Sequence, residues 1–356
     1  MKKICVTIKS LANGGAEKQS LLLARVLKAK YETHLVIVSD RPKLQHHLDL
    51  LEKEKISHIF LRGNILQRLS DFRYFLRDKQ IDIIFSFLPG DTFLSAIAGK
   101  LEGVSYLFGG IRNSHMAKPK LLALKYLHNH LLNYSISNCH SGSQTCISNG
   151  FKKEKMLVIP NGIEIETVFE KKPAKQKLII TTVGRLVAQK DYQTALASIA
   201  YLTQNYELPS QITYRIIGYG KEENRIKQWI KDYNLAGIVE LLINPSNVPQ
   251  LLEESDIYLC TSIFEGISNA IMEAMSYGLP IVATKVGDNS HLVENNVNGY
   301  LTQPKDHQTI ATRLYELSKL DNLRIEFGQN SYEKVKNKYG LARFQSNYFD
   351  LIESLK

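Results

Sequence analysis

Short apolar runs alternate with helix-forming segments along almost the whole chain, and the alternation is interrupted once. Runs near Ile4–Ile8, His34–Val38, Ile83–Phe87, Tyr106–Gly109, Tyr134–Ser137 and Leu157–Ile159 read as buried strands, separated by helices such as Glu17–Ala29. A polar stretch from Glu164 to Gln176, carrying Lys171, Lys172, Pro173 and Lys175, then reads as an interdomain linker. A second series starts at Lys177–Val183 and continues near Thr213–Ile217, Val239–Leu242, Ile257–Cys260 and Ile281–Thr284. Strands that alternate with helices pair in parallel, because the crossover helix returns the chain to the same end of the sheet. The expected fold class is therefore α/β, with two Rossmann-like parallel-sheet domains facing across a cleft and divided at about 165/166.

Composition narrows the setting. The 356 residues suffice for two domains of ordinary size, and 44% hydrophobic content is globular rather than disordered. No apolar run approaches the ~20 residues of a membrane helix, and the segment from Met1 to Ile8 reads as a strand rather than a signal peptide. A cytoplasmic location is expected. Cys5, Cys139, Cys146 and Cys260 lack metal-ligand spacing and read as reduced core residues.

The richest local pattern is Ser262-Ile-Phe-Glu265-Gly-Ile-Ser-Asn-Ala-Ile-Met-Glu273. A turn at Gly266 and Ser268 followed by a helix from Asn269 to Tyr277 aims backbone N–H groups and a helix dipole at one point, which suits a phosphate. Glu265 stands at the lip of that point, and Glu273, about one turn into the helix, can accept hydrogen bonds from a diol. Two solvated glutamates on a surface helix would show the same spacing. Gly278-Leu-Pro280 then closes the helix and opens a buried strand, so a βα unit brackets the carboxylates. Upstream, Gly184 permits close backbone approach, and Arg185 and Lys190 supply two cations beyond a strand's carboxyl end.

Taken together, Gly14-Gly-Ala-Glu17, Ile159-Pro-Asn-Gly162, Gly184-Arg-Leu…Lys190, Ile217-Gly-Tyr-Gly220 and Glu265-Gly…Glu273-Ala…Gly278-Leu-Pro280 resemble the retaining nucleotide-sugar glycosyltransferases of family GT4, which have the GT-B fold. The motifs occur in the family's order over essentially the whole chain. The resemblance implies that Arg185 and Lys190 contact the donor's diphosphate, that Glu273 binds ribose hydroxyls, and that Glu265 contacts the transferred sugar. It places the amides of Gly266, Ile267 and Ser268 beside that sugar, with Gly184, Gly218 and Asn269 also at the donor site. Gly14 and Gly15 would lie under the phosphates, and the backbone from Asn244 to Val248 would flank the nucleobase. The segment 341–356 would cross back onto the first domain, leaving 166–340 as the nucleotide-sugar domain.

One position departs from the family. Many relatives end an N-terminal strand in Val-His-Asp, whose histidine touches the donor sugar, whereas here the strand ends in Arg112-Asn-Ser-His115. Arg112 is a permanent cation and would orient the sugar or the acceptor or bind phosphate rather than act as a base; His115 is a further candidate. No Asp-x-Asp pair is present, so no metal is expected and no cofactor beyond the sugar-nucleotide substrate. The implied activity is transfer of a hexose or N-acetylhexosamine, with UDP-sugars favoured, to a lipid-linked or cell-surface glycan precursor, with retention. A catalytically silent partner subunit and a nucleotide-sugar epimerase are the alternatives. A dinucleotide oxidoreductase is disfavoured, because Asn13-Gly-Gly-Ala replaces Gly-x-Gly-x-x-Gly after the first strand.

The net charge of +10 is uneven: residues 1–165 hold 24 Lys and Arg against 13 Asp and Glu, and the remainder holds 21 against 22. A basic first domain points to an anionic membrane face or a lipid diphosphate, and no nucleic-acid motif accompanies it. The segment from Lys118 with Leu121, Leu124, Leu127 and Leu131 on one side could be an amphipathic membrane helix or, more simply, a core-facing helix with a basic outer side. Arg68, Arg73, Arg77 and Lys79 on another helix could extend the basic surface.

Overall fold

The computed structural model describes residues 1–12, 14–112, 117–165, 168–169 and 177–355. The chain divides into two compact units, Met1–Gly162 with Ala342–Lys356, and Ile163–Leu341. The division thus falls slightly before the expected 165/166, at the glycine of Ile-Pro-Asn-Gly.

Among the described residues the first unit contains β1 (Lys3–Ile8), β2 (Glu32–Ile37), β3 (Ser57–Phe60), β4 (Ile83–Ser86), β5 (Tyr106–Ile111), β6 (Tyr134–Ser137) and β7 (Met156–Val158). They are joined by α1 (Gly15–Lys28), α2 (Gln45–Lys53), α3 (Ile65–Lys79), α4 (Pro89–Leu101), α5 (Lys118–Tyr126) and α6 (His140–Ser148). The sheet is parallel with the order β3-β2-β1-β4-β5-β6-β7. Local chemistry sets the helix starts. At α3, the Asn64 side chain accepts the Gln67 N–H at 3.0 Å while the Gln67 side chain accepts the Asn64 N–H at 2.9 Å, a reciprocal capping box. At α4, Pro89 opens the first turn and the buried Asp91 carboxylate accepts the N–H groups of Phe87 and Leu88 at 2.7 and 3.0 Å.

The second unit contains β8 (Lys177–Val183), β9 (Gln211–Gly218), β10 (Val239–Ile243), β11 (Ile257–Cys260), β12 (Ile281–Thr284) and β13 (Gly299–Thr302), in the order β10-β9-β8-β11-β12-β13. Its helices are α7 (Tyr192–Asn205), α8 (Glu223–Asp232), α9 (Val248–Glu253), α10 (Asn269–Ser276), α11 (Asn289–Leu292), α12 (His307–Lys319) and α13 (Asp321–Tyr339). The last helix, α14 (Leu341–Glu353), packs into the first unit: Tyr348 meets Phe85 edge-on at 5.5 Å, and Phe344 and Ile352 are buried. Lys2 secures its end by donating to the carbonyls of Ile352 and Leu355.

Three expectations are revised. The edge strands β3 and β13 are additions, because Ser57-His-Ile-Phe60 is half polar and Gly299-Tyr-Leu-Thr302 opens on glycine, so neither reads as an apolar run. The leucine stripe of α5 serves the core: Leu124 and Leu127 are buried and Leu121 and Leu131 pack against them, with a π-helical turn over Leu127–Leu131. That stripe is therefore unavailable to a membrane. On α3, Arg73 pairs with Glu102 at 2.6 Å and Lys79 with Asp78 at 3.0 Å, which removes part of the free charge expected there. No helix of the described residues is long and apolar enough to cross a membrane.

Burial pushes the Asp91 carboxyl up to about 7, although the N–H groups of Phe87 and Leu88 pull it down. The folded state thus holds this proton more tightly than an unfolded chain, where aspartate titrates near ~3.9. The stabilisation is present below that value and is lost as pH rises through about 7. We expect the melting temperature of Asp91→Asn, relative to the parent protein, to rise between pH 5 and pH 8; an offset independent of pH would contradict the assignment.

Candidate active site

In the second sheet the strand order reverses at β8, whose neighbours are β9 and β11. Crossovers leave the two sides of such a point in opposite directions, so the loops after β8 and β11 part and open a crevice at the carboxyl end of the sheet. Those two loops carry Arg185 and Lys190, and Glu265, respectively. They are also laced together. The Ile263 N–H donates to Gln189 O at 2.9 Å, Gln189 Nε2 to Phe264 O at 2.8 Å, and Thr261 Oγ1 to Lys190 O at 2.9 Å.

At the centre, Lys190 Nζ lies 2.6 Å from Glu265 Oε1, which also accepts from Ser262 Oγ at 2.7 Å. The two charged side chains are only 15% and 10% exposed, so the pair is largely dehydrated and its attraction weakly screened. Burial works against the lysine's charge, but the charge of Glu265, with Cys260 and the Glu265 hydrogen bond, outweighs it and raises the Lys190 pKa. Lys190 is accordingly a fixed cation and not a proton shuttle. Arg185 is exposed. Its backbone turn is held from below by the buried Tyr192, whose hydroxyl donates to Gly184 O at 3.1 Å and reaches Arg185 O at 3.4 Å.

Close backbone packing shapes the rim. A β-carbon at residue 218 would stand 1.8 Å from Gly184 O, so only glycine fits there. Asn244, exposed and in the left-handed region with φ 47°, turns its N–H inward to Gly218 O at 3.1 Å. The backbone N–H of Asn244 is thus already engaged, and Val248 opens α9 beyond it. On the other side Ser268 caps α10 by accepting the Ile271 N–H at 3.4 Å; Ile267 and Ser268 are buried, while Gly266 and Asn269 are half-buried. Gly266 O accepts the Asp288 N–H at 2.9 Å, and a β-carbon at Gly287 (φ 51°) would fall 2.1 Å from Glu265 O. The half-buried Glu273 on α10 is near the Tyr258 phenol, whose pKa burial, and to a smaller extent Glu273, push up. Tyr258 in turn donates to Val183 O at 3.0 Å, at the end of β8.

The first sheet reverses in the same manner at β1, between β2 and β4. Gly14 is the N-cap of α1 and Gly15 its first residue, immediately beyond that strand. The buried Glu17 folds back so far that its Oε2 would lie 2.2 Å from a β-carbon on Gly14. Arg112, at the end of β5, is held inside this unit. Its Nη1 donates to Asn161 Oδ1 at 2.8 Å, its guanidinium lies 4.3 Å from the Phe87 ring centroid, and it hydrogen-bonds the Tyr348 hydroxyl. Burial lowers its pKa, and its Nε has no partner among the described residues. His115 lies outside the described residues. Ser262, Gln189, Tyr192 and Gly287 support the site without any local motif to announce them; Ser262 alone lies within reach of one, three residues before Glu265.

Removing one member of a dehydrated ion pair strands the other. Lys190→Ala should therefore lower stability by about 3 kcal/mol, and adding Glu265→Gln should recover most of it, as read by chemical denaturation of both variants. Gly287→Ala should displace the Glu265 carbonyl, lowering both kcat and the melting temperature, because the added β-carbon meets backbone at a left-handed position.

Two family models match the chain: Glycosyltransferase Family 4 over residues 13–167 and Glycosyl transferases group 1 over residues 164–334. The UDP-Gal:alpha-D-GlcNAc-diphosphoundecaprenol alpha-1,3-galactosyltransferase of Escherichia coli is 25% identical over 297 residues, 78% of this chain and 76% of that protein. The GalNAc-alpha-(1->4)-GalNAc-alpha-(1->3)-diNAcBac-PP-undecaprenol alpha-1,4-N-acetyl-D-galactosaminyltransferase of Campylobacter jejuni is 23% identical over 364 residues, 100% of this chain and 99% of that protein. Among solved structures, Anabaena Alr3699/HepE in complex with UDP is similar with a TM-score of 0.85 at 21% identity over 100% of both chains. Two reversing parallel sheets, the Arg185–Lys190–Glu265 crevice and these matches lead to one conclusion: the chain belongs to the GT4-type glycosyltransferases of GT-B fold.

Proposed function

We propose that this glycosyltransferase moves a hexose or N-acetylhexosamine from a UDP-sugar to a lipid-linked precursor of a cell-surface glycan, with retention and without a metal. The observation that carries the reading is the pairing of an exposed Arg185 with a Lys190 fixed by Glu265 beyond the end of β8. Departure of a nucleoside diphosphate leaves negative charge on its phosphates, and preorganised cations there lower the barrier without reorganising. Lys190 supplies a charge of fixed position, and Arg185 a planar fork that can take two phosphate oxygens. Glu273 accepts from the ribose diol, and Glu265 meets the transferred sugar while it holds Lys190. The amides of Gly266 to Ser268 line the sugar.

The nucleotide and acceptor follow from the named relatives, one a UDP-galactose enzyme acting on a diphosphoundecaprenol glycan and one acting on a PP-undecaprenol glycan. With Asn244 N–H already bound to Gly218, recognition of the base falls to the other backbone groups from Asn244 to Val248. Retention is consistent with a donor phosphate oxygen deprotonating the acceptor on the face it leaves, which asks for no protein base. Arg112 enters as a positioning residue, since its contacts to Asn161, Phe87 and Tyr348 tie the end of β5 to the Asn161 segment. Action on a lipid-linked acceptor by a chain with a basic first unit implies peripheral association with the inner face of the plasma membrane.

A thermal-shift panel of UDP, GDP, ADP and TDP, each with and without EDTA, tests the donor site. We expect stabilisation by UDP that survives EDTA, disappears in Arg185→Ala and weakens in Glu273→Ala. Loss of the UDP shift in EDTA would overturn metal independence, and equal shifts in Arg185→Ala and the parent protein would overturn the phosphate assignment. Transfer from a UDP-sugar by Arg185→Ala should fall by about 100-fold.

A further inference from the structure

The crossovers from β3 to β4, β4 to β5 and β5 to β6 all step the same way across the first sheet. Right-handed connections then place α3, α4 and α5 side by side on one face. Their shared core agrees: Phe72, Leu94 and Leu124 join one cluster with Cys5, Ile84 and Leu107 of the sheet. Because each helix starts beyond the carboxyl end of its strand, their leading turns come together at one edge of the unit. That edge is unusually apolar. Ile65 and Leu66 of α3 are 62% and 73% exposed, Phe93 of α4 48%, and Leu122 and Tyr126 of α5 64% and 60%. Among the described residues of this unit, the other exposed large apolar side chains are Met1, Tyr74 and Leu101.

Negative side chains are sparse at the same edge: Asp91 in the first turn of α4 is buried, and Asp71 lies in the second turn of α3. No Asp or Glu occurs from Arg62 to Ser70, and none between Glu102 and Glu154. Arg62, Lys118 and Lys120 are exposed, with Lys125 half-buried beside them. Leu122 and Tyr126 are four residues apart and so project from one side of α5, opposite the leucines that enter the core.

We propose that the leading ends of α3 and α4 and the outer side of α5 form a docking face for an anionic lipid bilayer, with Ile65, Leu66, Phe93, Leu122 and Tyr126 entering the headgroup region and the surrounding lysines and arginines meeting lipid phosphates. The inference builds on the lipid-linked acceptor proposed above and names the surface that brings the enzyme to it. Isolated apolar side chains interleaved with lysines match an interfacial membrane anchor, in which apolar insertion and attraction to anionic headgroups act together. A protein interface would instead be poor in lysine at its centre. The face borders the carboxyl edge of the sheet, where open α/β sheets receive ligands, so docking there brings the acceptor end of the unit to the lipid surface.

Co-sedimentation with phosphatidylcholine vesicles, with and without phosphatidylglycerol, tests the face on the full chain. We expect binding to the anionic vesicles only, reversed by about 0.5 M salt as charge is screened. Leu122→Ser/Tyr126→Ser and Lys118→Gln/Lys120→Gln should each lower the bound fraction roughly tenfold. Leu320→Ser, exposed on the other unit, should leave binding unchanged. All variants should keep the UDP thermal shift, which separates loss of docking from loss of fold or of the donor site. Vesicle binding unchanged in the double variants would overturn the proposal. So would absence of binding together with a dimer that Leu122→Ser/Tyr126→Ser dissociates, which would assign the face to a second copy.

Discussion

A parallel sheet that grows in both directions from one strand has a single place where neighbouring crossovers diverge, and this chain builds that place twice. At β8 the reversal separates the loop of Arg185 and Lys190 from the loop of Glu265 by just enough for their side chains to meet. At β1 it brings Gly14 and Gly15 to the head of α1 and Asp91 to the head of α4. The handedness of the connections decides this, not any preference of the individual residues. Charged groups that would be scattered on another topology become neighbours here.

Holding a cation in a crevice raises a physical conflict that the structure resolves locally. A lone dehydrated lysine would shed its proton, and a lone dehydrated glutamate would take one up. Paired at 2.6 Å with Glu265, itself braced by Ser262, Lys190 keeps its charge and still has N–H groups to offer an incoming anion. Arg185 is exposed beside it. The crevice thus combines one largely dehydrated, paired cation and one open to solvent, seated on turns that Tyr192 and Gly287 keep from shifting.

The centre of each sheet and the charged motifs were legible in the residue order because both are local signals. Strands buried on two faces read as apolar runs, and Glu265-Gly…Glu273 shows its turn and helix within one stretch of sequence. Two of the four edge strands were not legible: β7 and β10 read as short apolar runs, whereas β3 and β13 are recognised as strands only because β2 and β12 supply pairing partners. The leucine stripe on α5 shows a helical period but does not say which partner it faces, and the sheet claimed it. Gln189 and Gly287 act through contacts with loops tens of residues away, so no spacing betrays them. Arg112 shows the same limit, since its partners Asn161 and Tyr348 come from segments remote in the chain.

The return of α14 to the first unit has a consequence for synthesis. Tyr348 covers Phe85 and meets Arg112, and Phe344 and Ile352 are buried beside them, so the first unit's core is complete only with residues that follow the second unit in the chain. On a ribosome, domains usually fold in the order they emerge. Here the whole second sheet is made before the helix that seals the first, leaving Phe85 and Arg112 without that cover throughout its translation. The unit that is begun first is finished last.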